Sequence, residues 1–289
     1  MHHPPKSQNY AEPNVHAVID QVIGVYVHIP FCQYRCSYCD FATYADQDHL
    51  MTSYVDAVIS ELALRTTPGD RRNVSTIFFG GGTPSRLPVH DLRRILDALH
   101  TSFEISPTAE ITLEANPGTL DLAHMRDLRA AGISRLSVGV QTLNNDILLR
   151  LNRIHDAEQA ILTLQRAHEA GFDSVNADLI FGLPGQDRAD WEQTLTGVLA
   201  AEPDHLSIYG LIVEPGTLLR RQVVSGKVRL PSEDDAADMY ERTREVLSAN
   251  GYVQYEVSNW ARPGHQCRHN LIYWEHDPYL GIGLSSHSY

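Results

Sequence analysis

Three of the four cysteines in the chain, Cys32, Cys36 and Cys39, fall within eight residues in the run YVHIPFCQYRCSYCDF at positions 26–41. Three thiolates at CxxxCxxC spacing on one loop can reach three corners of a single compact cluster. A [4Fe–4S] cubane normally takes four cysteines. Three would leave one iron open, and an open coordination position is where chemistry happens. Zinc is the competing occupant, and structural zinc takes four ligands. His28 could supply a fourth, but the usual partner, a second CxxC or HxxxH pair, does not follow. Cys267 stands alone. A secreted disulfide framework spreads its cysteines across loops, so the tight group is read as metal or redox chemistry in a cytoplasmic setting.

Other reactive or constrained positions interrupt apolar runs. Gly80, Gly81 and Gly82, followed by Thr83 and Pro84, make a turn whose backbone can approach a ligand closely, although such a turn can also be only a turn. Glu114 ends the run ITLE, where its carboxylate can accept hydrogen bonds or simply face water. Gln141 ends RLSVGVQ, Arg153 lies in LNRIH, and Asp178 interrupts VNADLIFGLP. A carboxylate inside an apolar strand is costly unless paired or bonded, and Arg153 is a candidate partner for Asp178.

The elements that must position these residues follow from hydrophobic patterning. Strands are expected at 24–29, 75–79, 110–114, 135–140, 174–180 and 205–211, most of them nearly continuous in apolar character, as strands buried on both faces are. Helical periodicity covers 48–65, 156–170, 188–201 and 234–250, with Gly171 and Gly251 as stop signals after two of them. Six βα units in a row predict an α/β protein with a parallel sheet, doubly wound or curled as a barrel. Cys32 then falls just after the first strand, where parallel α/β proteins place ligand-binding loops. Residues 1–20 are polar and read as a flexible arm. The whole chain has 289 residues, 43% of them hydrophobic and 20% charged, which excludes a disordered or fibrous protein. Its net charge of −13 argues against a long-range electrostatic grip on nucleic acid, and no apolar run is long enough to span a bilayer.

CxxxCxxC after a first strand, with Tyr38 just before the last cysteine, resembles the radical S-adenosylmethionine (SAM) superfamily. More narrowly, YVHIPFCxxxCxYCDF resembles the coproporphyrinogen III oxidase-like branch and its HemW-type haem chaperones, over about residues 25–289. The resemblance implies a partial (βα)6 TIM-like barrel over 21–215, with a helical and strand extension over 216–289. It implies a [4Fe–4S] cluster on Cys32, Cys36 and Cys39, whose unique iron binds SAM through its amino and carboxylate groups. One electron then cleaves SAM to a 5′-deoxyadenosyl radical. SAM contacts are implied at Tyr26, Tyr38, Gly81, Gly82, Thr83, Glu114, Gln141, Arg153, Asp178 and Ile212; Tyr26 and Tyr38 could equally be packing aromatics.

The resemblance divides at Phe41. The oxygen-independent oxidases of this branch carry a further cysteine there, whereas CDF is typical of the HemW-type group. The C-terminal motif HNxxYW points the same way, toward haem handling, through Cys267, His269, Asn270, Tyr273 and Trp274, with His265 nearby. An imidazole or thiolate can ligate haem iron and aromatic rings can pack on a porphyrin. Alternatively, His269 and Asn270 hold a loop while Tyr273 and Trp274 fill core. The expected partners are haem, a haem-acceptor protein and, if SAM is cleaved, an electron donor. The apolar, glycine-rich end at 279–289 is where similar proteins continue into a further domain, so a truncated chain is expected. The alternative activity is oxidative decarboxylation of coproporphyrinogen III.

Overall fold

The computed structural model describes residues 22–67, 70 and 72–289; the expected arm at 1–20 lies outside them. In chain order the elements are β1 (Val22–Ile29), β2 (Phe31–Cys32), β3 (Tyr44–Ala45), α1 (Met51–Arg65), β4 (Asn73–Gly81), α2 (Val89–Ser102), β5 (Glu104–Ala115), α3 (Leu122–Ala130), β6 (Arg135–Gln141), α4 (Asn145–Arg150), α5 (Ala157–Glu169), β7 (Ser174–Phe181), α6 (Arg188–Leu199), β8 (His205–Gly210), α7 (Leu218–Val224), α8 (Glu233–Ala249), β9 (Val253–Gln254), β10 (Asn259–Ala261), α9 (Arg268–Glu275) and β11 (Tyr279–Ile282). All six expected strands and all four expected helices form. Gly171 and Gly251 take φ of +80° and +83° just past α5 and α8, the left-handed conformation that ends a helix without a Cβ penalty.

The strands build one sheet in the order β11-β1-β4-β5-β6-β7-β8-β10-β9. Seven neighbours, β11 to β8, run parallel, while β10 and β9 continue antiparallel beyond β8. The ends of β4 through β8 converge on one cavity, so the sheet is curled, and it remains open between β11 and β9. Residues 216–289 therefore add to both edges of the same sheet. β11 joins β1 through the register Gly24↔Tyr279 to Val27↔Ile282.

The central strands β6 and β7 are buried on both faces, as expected, but the two faces differ in kind. They are not apolar on both faces. Leu136, Val138 and Val140 of β6, Val175, Ala177 and Leu179 of β7, and Leu206 and Ile208 of β8 join the hydrophobic core under α1–α3, α5, α6 and α8. The alternate positions face inward and are polar: Arg135 and Ser137, Ser174, Asn176 and Asp178, His205 and Ser207. Because side chains alternate across a strand, one face supplies the packing and the other a hydrogen-bonded interior. Asn176 links that interior. Its amide nitrogen donates to Ser137 Oγ (2.7 Å) and Asp178 Oδ1 (2.8 Å), and its Oδ1 lies 2.6 Å from His205 Nδ1.

Helix α9 enters this interior. A Cβ on Gly24 of β1 would stand 2.7 Å from Ile272 and 3.2 Å from His269, so the glycine lets the helix seat directly against the sheet. After β11 the chain turns back along that strand. Tyr279 and Tyr289 exchange both backbone hydrogen bonds at 3.0 Å, Gly281 N–H donates to Ser288 Oγ, and Arg65 donates to Gly281 O. No helix among the described residues is long and apolar enough to cross a membrane.

Candidate functional site

The C-terminal ends of the parallel strands open onto a cavity of about 400 Å3. Loops at these ends are where such sheets bind ligands, because neighbouring connections leave the sheet there in different directions. The loop after β1 contributes Cys32, Cys36, Tyr38 and Cys39, and the turn after β4 contributes Gly81, Gly82 and Thr83. Glu114 comes from β5, Gln141 from β6, Arg153 from the segment before α5, Asp178 from β7 and Ile212 from beyond β8. Of the residues expected to hold a cluster or SAM, all but Tyr26 line this one space. Tyr26 lines an adjoining cavity of about 330 Å3 with Tyr273 and His287. Phe41, Gly81 and Glu114 wall both cavities.

Each of the three sulfurs has a polar side chain beside it, two of them from distant parts of the chain. Thr83 Oγ1 donates to Cys32 Sγ at 3.7 Å, Arg153 Nη1 donates to Cys36 Sγ at 3.4 Å, and Thr43 Oγ1 lies 4.0 Å from Cys39 Sγ. Burial pushes the Cys32 and Cys39 thiols up, against the pull of Thr83 on one and of the Phe41 backbone on the other. Coordination to a metal would offset that cost, since ligating sulfur is thiolate. Among the described residues no three His, Cys, Asp or Glu side chains are grouped to hold a single metal ion. All three thiols line the open cavity, the donor set that a cluster with three cysteine ligands needs. His28 is not placed as a fourth zinc ligand: its Nε2 bonds Ala42 O at 2.9 Å and its Nδ1 bonds Tyr26 Oη at 3.1 Å.

The glycine turn has a steric cause. Gly81 has φ +111°, and a Cβ there would stand 2.4 Å from the His28 ring; one on Gly82 would stand 2.7 Å from the Pro30 carbonyl carbon. Its amide hydrogens are used inside the protein. Gly81 N–H goes to Glu114 Oε2 (3.1 Å), Gly82 N–H to Ile29 O and Thr83 N–H to Phe31 O. What the turn can offer a ligand's ammonium group is therefore carbonyl oxygen.

Asp40, Glu114, Asp178 and Glu214 line the cavity, and burial shifts two of these carboxyls. Burial, reinforced by the nearby charge of Asp178, pushes Glu114 up to about 8, against the Gly81 amide. Burial also raises Asp178, opposed by hydrogen bonds from Ser137, Asn176 and Ser207. The Asp178–Arg153 pair, the structural alternative for these two residues, is not formed. Asp178 accepts from Ser137 and Asn176, while Arg153 spans Cys36, Asn116 Oδ1 (2.8 Å) and Gly139 O. Gln141 is held at φ +68°, an uncommon conformation for a residue with a side chain.

The residues expected to meet haem are divided. Cys267 and His269 are 1% exposed. Cys267 donates to Glu110 (3.5 Å), and burial pushes its thiol up to about 12. His269 lies 2.7 Å from Thr76 Oγ1 and 2.9 Å from Tyr273 Oη, and burial pulls its imidazole down to about 3. Asn270 is half-buried beside them, and Tyr273 and Trp274 do not fill core, being 40% and 58% exposed. His265 lies at the opposite end of the barrel from the cysteines, on the rim of another cleft. Sequence reading missed Asn116, whose only signal is its place at a strand end before Pro117. It also missed the His205–Tyr255 pair (2.7 Å), whose residues are 50 positions apart.

The description "Radical SAM superfamily" matches residues 26–196, from within β1 to within α6. The chain belongs to the radical SAM superfamily, in its HemW-type branch. It is 41% identical over 275 residues to "Heme chaperone HemW" of Synechocystis, covering 92% of this chain and 66% of that protein. Against the proteins of that name from Bacillus subtilis and Escherichia coli, identity is 37% and 39%, with 92% of this chain and 70% and 69% of theirs covered. The chain thus spans about two thirds of the length of these relatives. Among solved structures, coproporphyrinogen III oxidase (HemN) from Escherichia coli superposes with a TM-score of 0.81 at 31% identity, covering 93% of this chain and 65% of that one. Radical SAM membership brings a [4Fe–4S] cluster and SAM, and the cysteine-lined cavity fits both.

Proposed function

We propose that this chain is a haem carrier built on a radical SAM barrel, which binds a [4Fe–4S] cluster, SAM and haem and passes haem to an acceptor protein. The observation that carries this reading is Phe41. It stands where the oxidases of the branch carry a further cysteine, and it forms an apolar wall, 65% exposed, between the cysteine cavity and its neighbour. The HemW-named relatives support the same reading.

Within it, Cys32, Cys36 and Cys39 hold the cluster, and Thr83 and Arg153 stabilise charge on its sulfur ligands. Glu114 and Asp178 accept hydrogen bonds from the polar groups of SAM, and the carbonyls of the glycine turn meet its ammonium group. When bound, cluster and SAM would supply one-electron chemistry, and the cavity-lining residues would orient them. An electron donor is needed if SAM is turned over. The carrier acts in the cytoplasm.

The test is an anaerobic absorbance titration of haem into cluster-reconstituted protein. Saturable one-to-one binding is expected. No binding, together with decarboxylation of coproporphyrinogen III in the presence of SAM and reductant, would replace the carrier with an oxidase, the reading favoured by the superposition on HemN.

A further inference from the structure

A hydrogen-bonded chain runs through the barrel interior from the cysteine cavity to the start of α9. It begins at Asp178 of β7, which lines the cavity, and passes through Asn176 on the same strand to His205 of β8. From His205 Nε2 it continues to Tyr255 Oη at 2.7 Å, and Tyr255 Oη accepts the Cys267 N–H at 3.3 Å. Cys267 is the N-cap residue of α9. Asn176 and His205 are 1% and 0% exposed, so a missing link would leave a buried polar group unsatisfied.

The chemistry of the links fixes their direction. The Asn176 amide turns its –NH2 toward Ser137 Oγ and Asp178 Oδ1; the reverse placement would set a carbonyl oxygen against a carboxylate. Its Oδ1 therefore faces His205 Nδ1, and that nitrogen must carry the hydrogen. Burial holds the imidazole neutral, so Nε2 is left as a bare acceptor and the Tyr255 hydroxyl donates to it. Every donor in the chain thus points toward Asp178. Ser137 closes the arrangement, receiving from Asn176 and donating to Asp178 Oδ2 at 2.8 Å. The charge of Arg135 on β6 favours the same ionised acceptor.

We propose that His205 and Tyr255 are positioning residues for SAM: through Asn176 they hold the Asp178 carboxylate as a fixed acceptor for the polar groups of the bound molecule. The inference rests on the reading of the cysteine cavity as the SAM site. Neither residue lines that cavity, so each acts through Asp178. An acceptor already oriented by its supports has less freedom to lose when the ligand arrives. The same chain makes the start of α9, the helix of the HNxxYW motif, a support of the SAM pocket.

The experiment is an equilibrium titration of reconstituted protein with SAM, run as a double-mutant cycle on Tyr255→Phe and Asp178→Ala. Tyr255→Phe removes one hydroxyl and should weaken SAM binding about threefold to tenfold, the worth of one hydrogen bond. In the Asp178→Ala background the same change should have no further effect, because the route through which it acts is gone. A Tyr255→Phe protein that binds SAM like wild type, or full additivity of the two substitutions, overturns the inference. Nitrogen NMR of isotope-labelled histidine in the cluster-free protein gives a second readout. The signal that disappears in His205→Asn should be that of a neutral ring with its hydrogen on Nδ1; a hydrogen on Nε2 would reverse the chain and overturn the inference as well. Affinity for SAM unchanged by Asp178→Ala overturns the role of Asp178 and the chain with it, while the cavity keeps its SAM. Failure of wild type to bind SAM overturns the reading of the cavity itself.

Discussion

Asn116 Nδ2 donates to Thr83 Oγ1 at 3.1 Å, and the same Asn116 accepts Arg153 Nη2 on its Oδ1 at 2.8 Å. Because Thr83 donates onward to Cys32 and Arg153 to Cys36, two cluster-directed sulfurs from one loop are tied together through a side chain on another. Asn116→Ala should break both links, costing about 1–3 kcal/mol of stability, the usual penalty for leaving buried polar partners unmade. Iron and sulfide content after reconstitution should fall, and the cluster should be lost faster to a chelator. Unchanged cluster retention would mean that Thr83 and Arg153 hold their positions without Asn116.

Glu114 gives a pH signature in the cluster-free protein. Its carboxyl is raised from 4.5 to about 8 in the fold, so it stays protonated where the unfolded chain has already ionised. Its burial costs nothing below about pH 4.5, an increasing amount between there and about 8, and a constant amount above, on the order of a few kcal/mol. Glu114→Gln should therefore match wild type in denaturant unfolding near pH 4 and exceed it at pH 8. A stability difference that does not change with pH would assign Glu114 an ordinary pKa.

His269 behaves with the opposite sign. Its folded pKa of about 3 means that the unfolded chain takes up a proton below about 6.5 which the folded state refuses. This group's contribution is present at neutral pH and is lost as pH falls from about 6.5 toward 3. His269→Ala, which strands Thr76 and Tyr273, should cost roughly 1–3 kcal/mol at pH 7.5 and less at pH 5. Thermal unfolding of the two proteins across that range checks it.

Gly281 tests the turn after β11. A Cβ there would stand 1.9 Å from the carbonyl oxygen of His287, too close for side-chain adjustment to relieve. Gly281→Ala should lower stability by about 1–3 kcal/mol, and amide exchange should quicken along β11. Wild-type exchange rates at Tyr279 and Gly281 would show that the returning segment does not hold the strand.

The cysteine group, the glycine turn and the strand-end residues were legible because each depends on local spacing beside a strand, and sequence separation of a few residues survives folding. Glu114, Gln141 and Asp178 were placed at one site by the resemblance to the radical SAM superfamily, and the parallel βα order is the physical reason their strand ends converge. What was not legible depends on long-range register. Nothing near Cys267 shows that Glu110 will cap α9, and nothing near Arg153 shows that Cys36, 117 residues away, will replace Asp178 as its partner. The polar inner rows were hidden for another reason: Ser, Thr and Asn between apolar residues blur an alternation that only the hydrogen-bond network resolves. β11 was obscured by its glycines, although its pairing to β1 makes it the seventh parallel strand.

The turn at the end of β11 has a consequence for how these molecules behave in a crowd. An edge strand with free N–H and C=O groups is a template for another chain. Here the outward groups of Tyr279 are taken by Tyr289, and those of Gly281 by Ser288 and Arg65. The opposite edge is β9, a strand of only two residues. Among the described residues one border of the nine-stranded sheet is thus covered by the returning chain and the other is too short to offer more than a few free groups, so neither presents the long bare edge on which sheets propagate from one copy to the next.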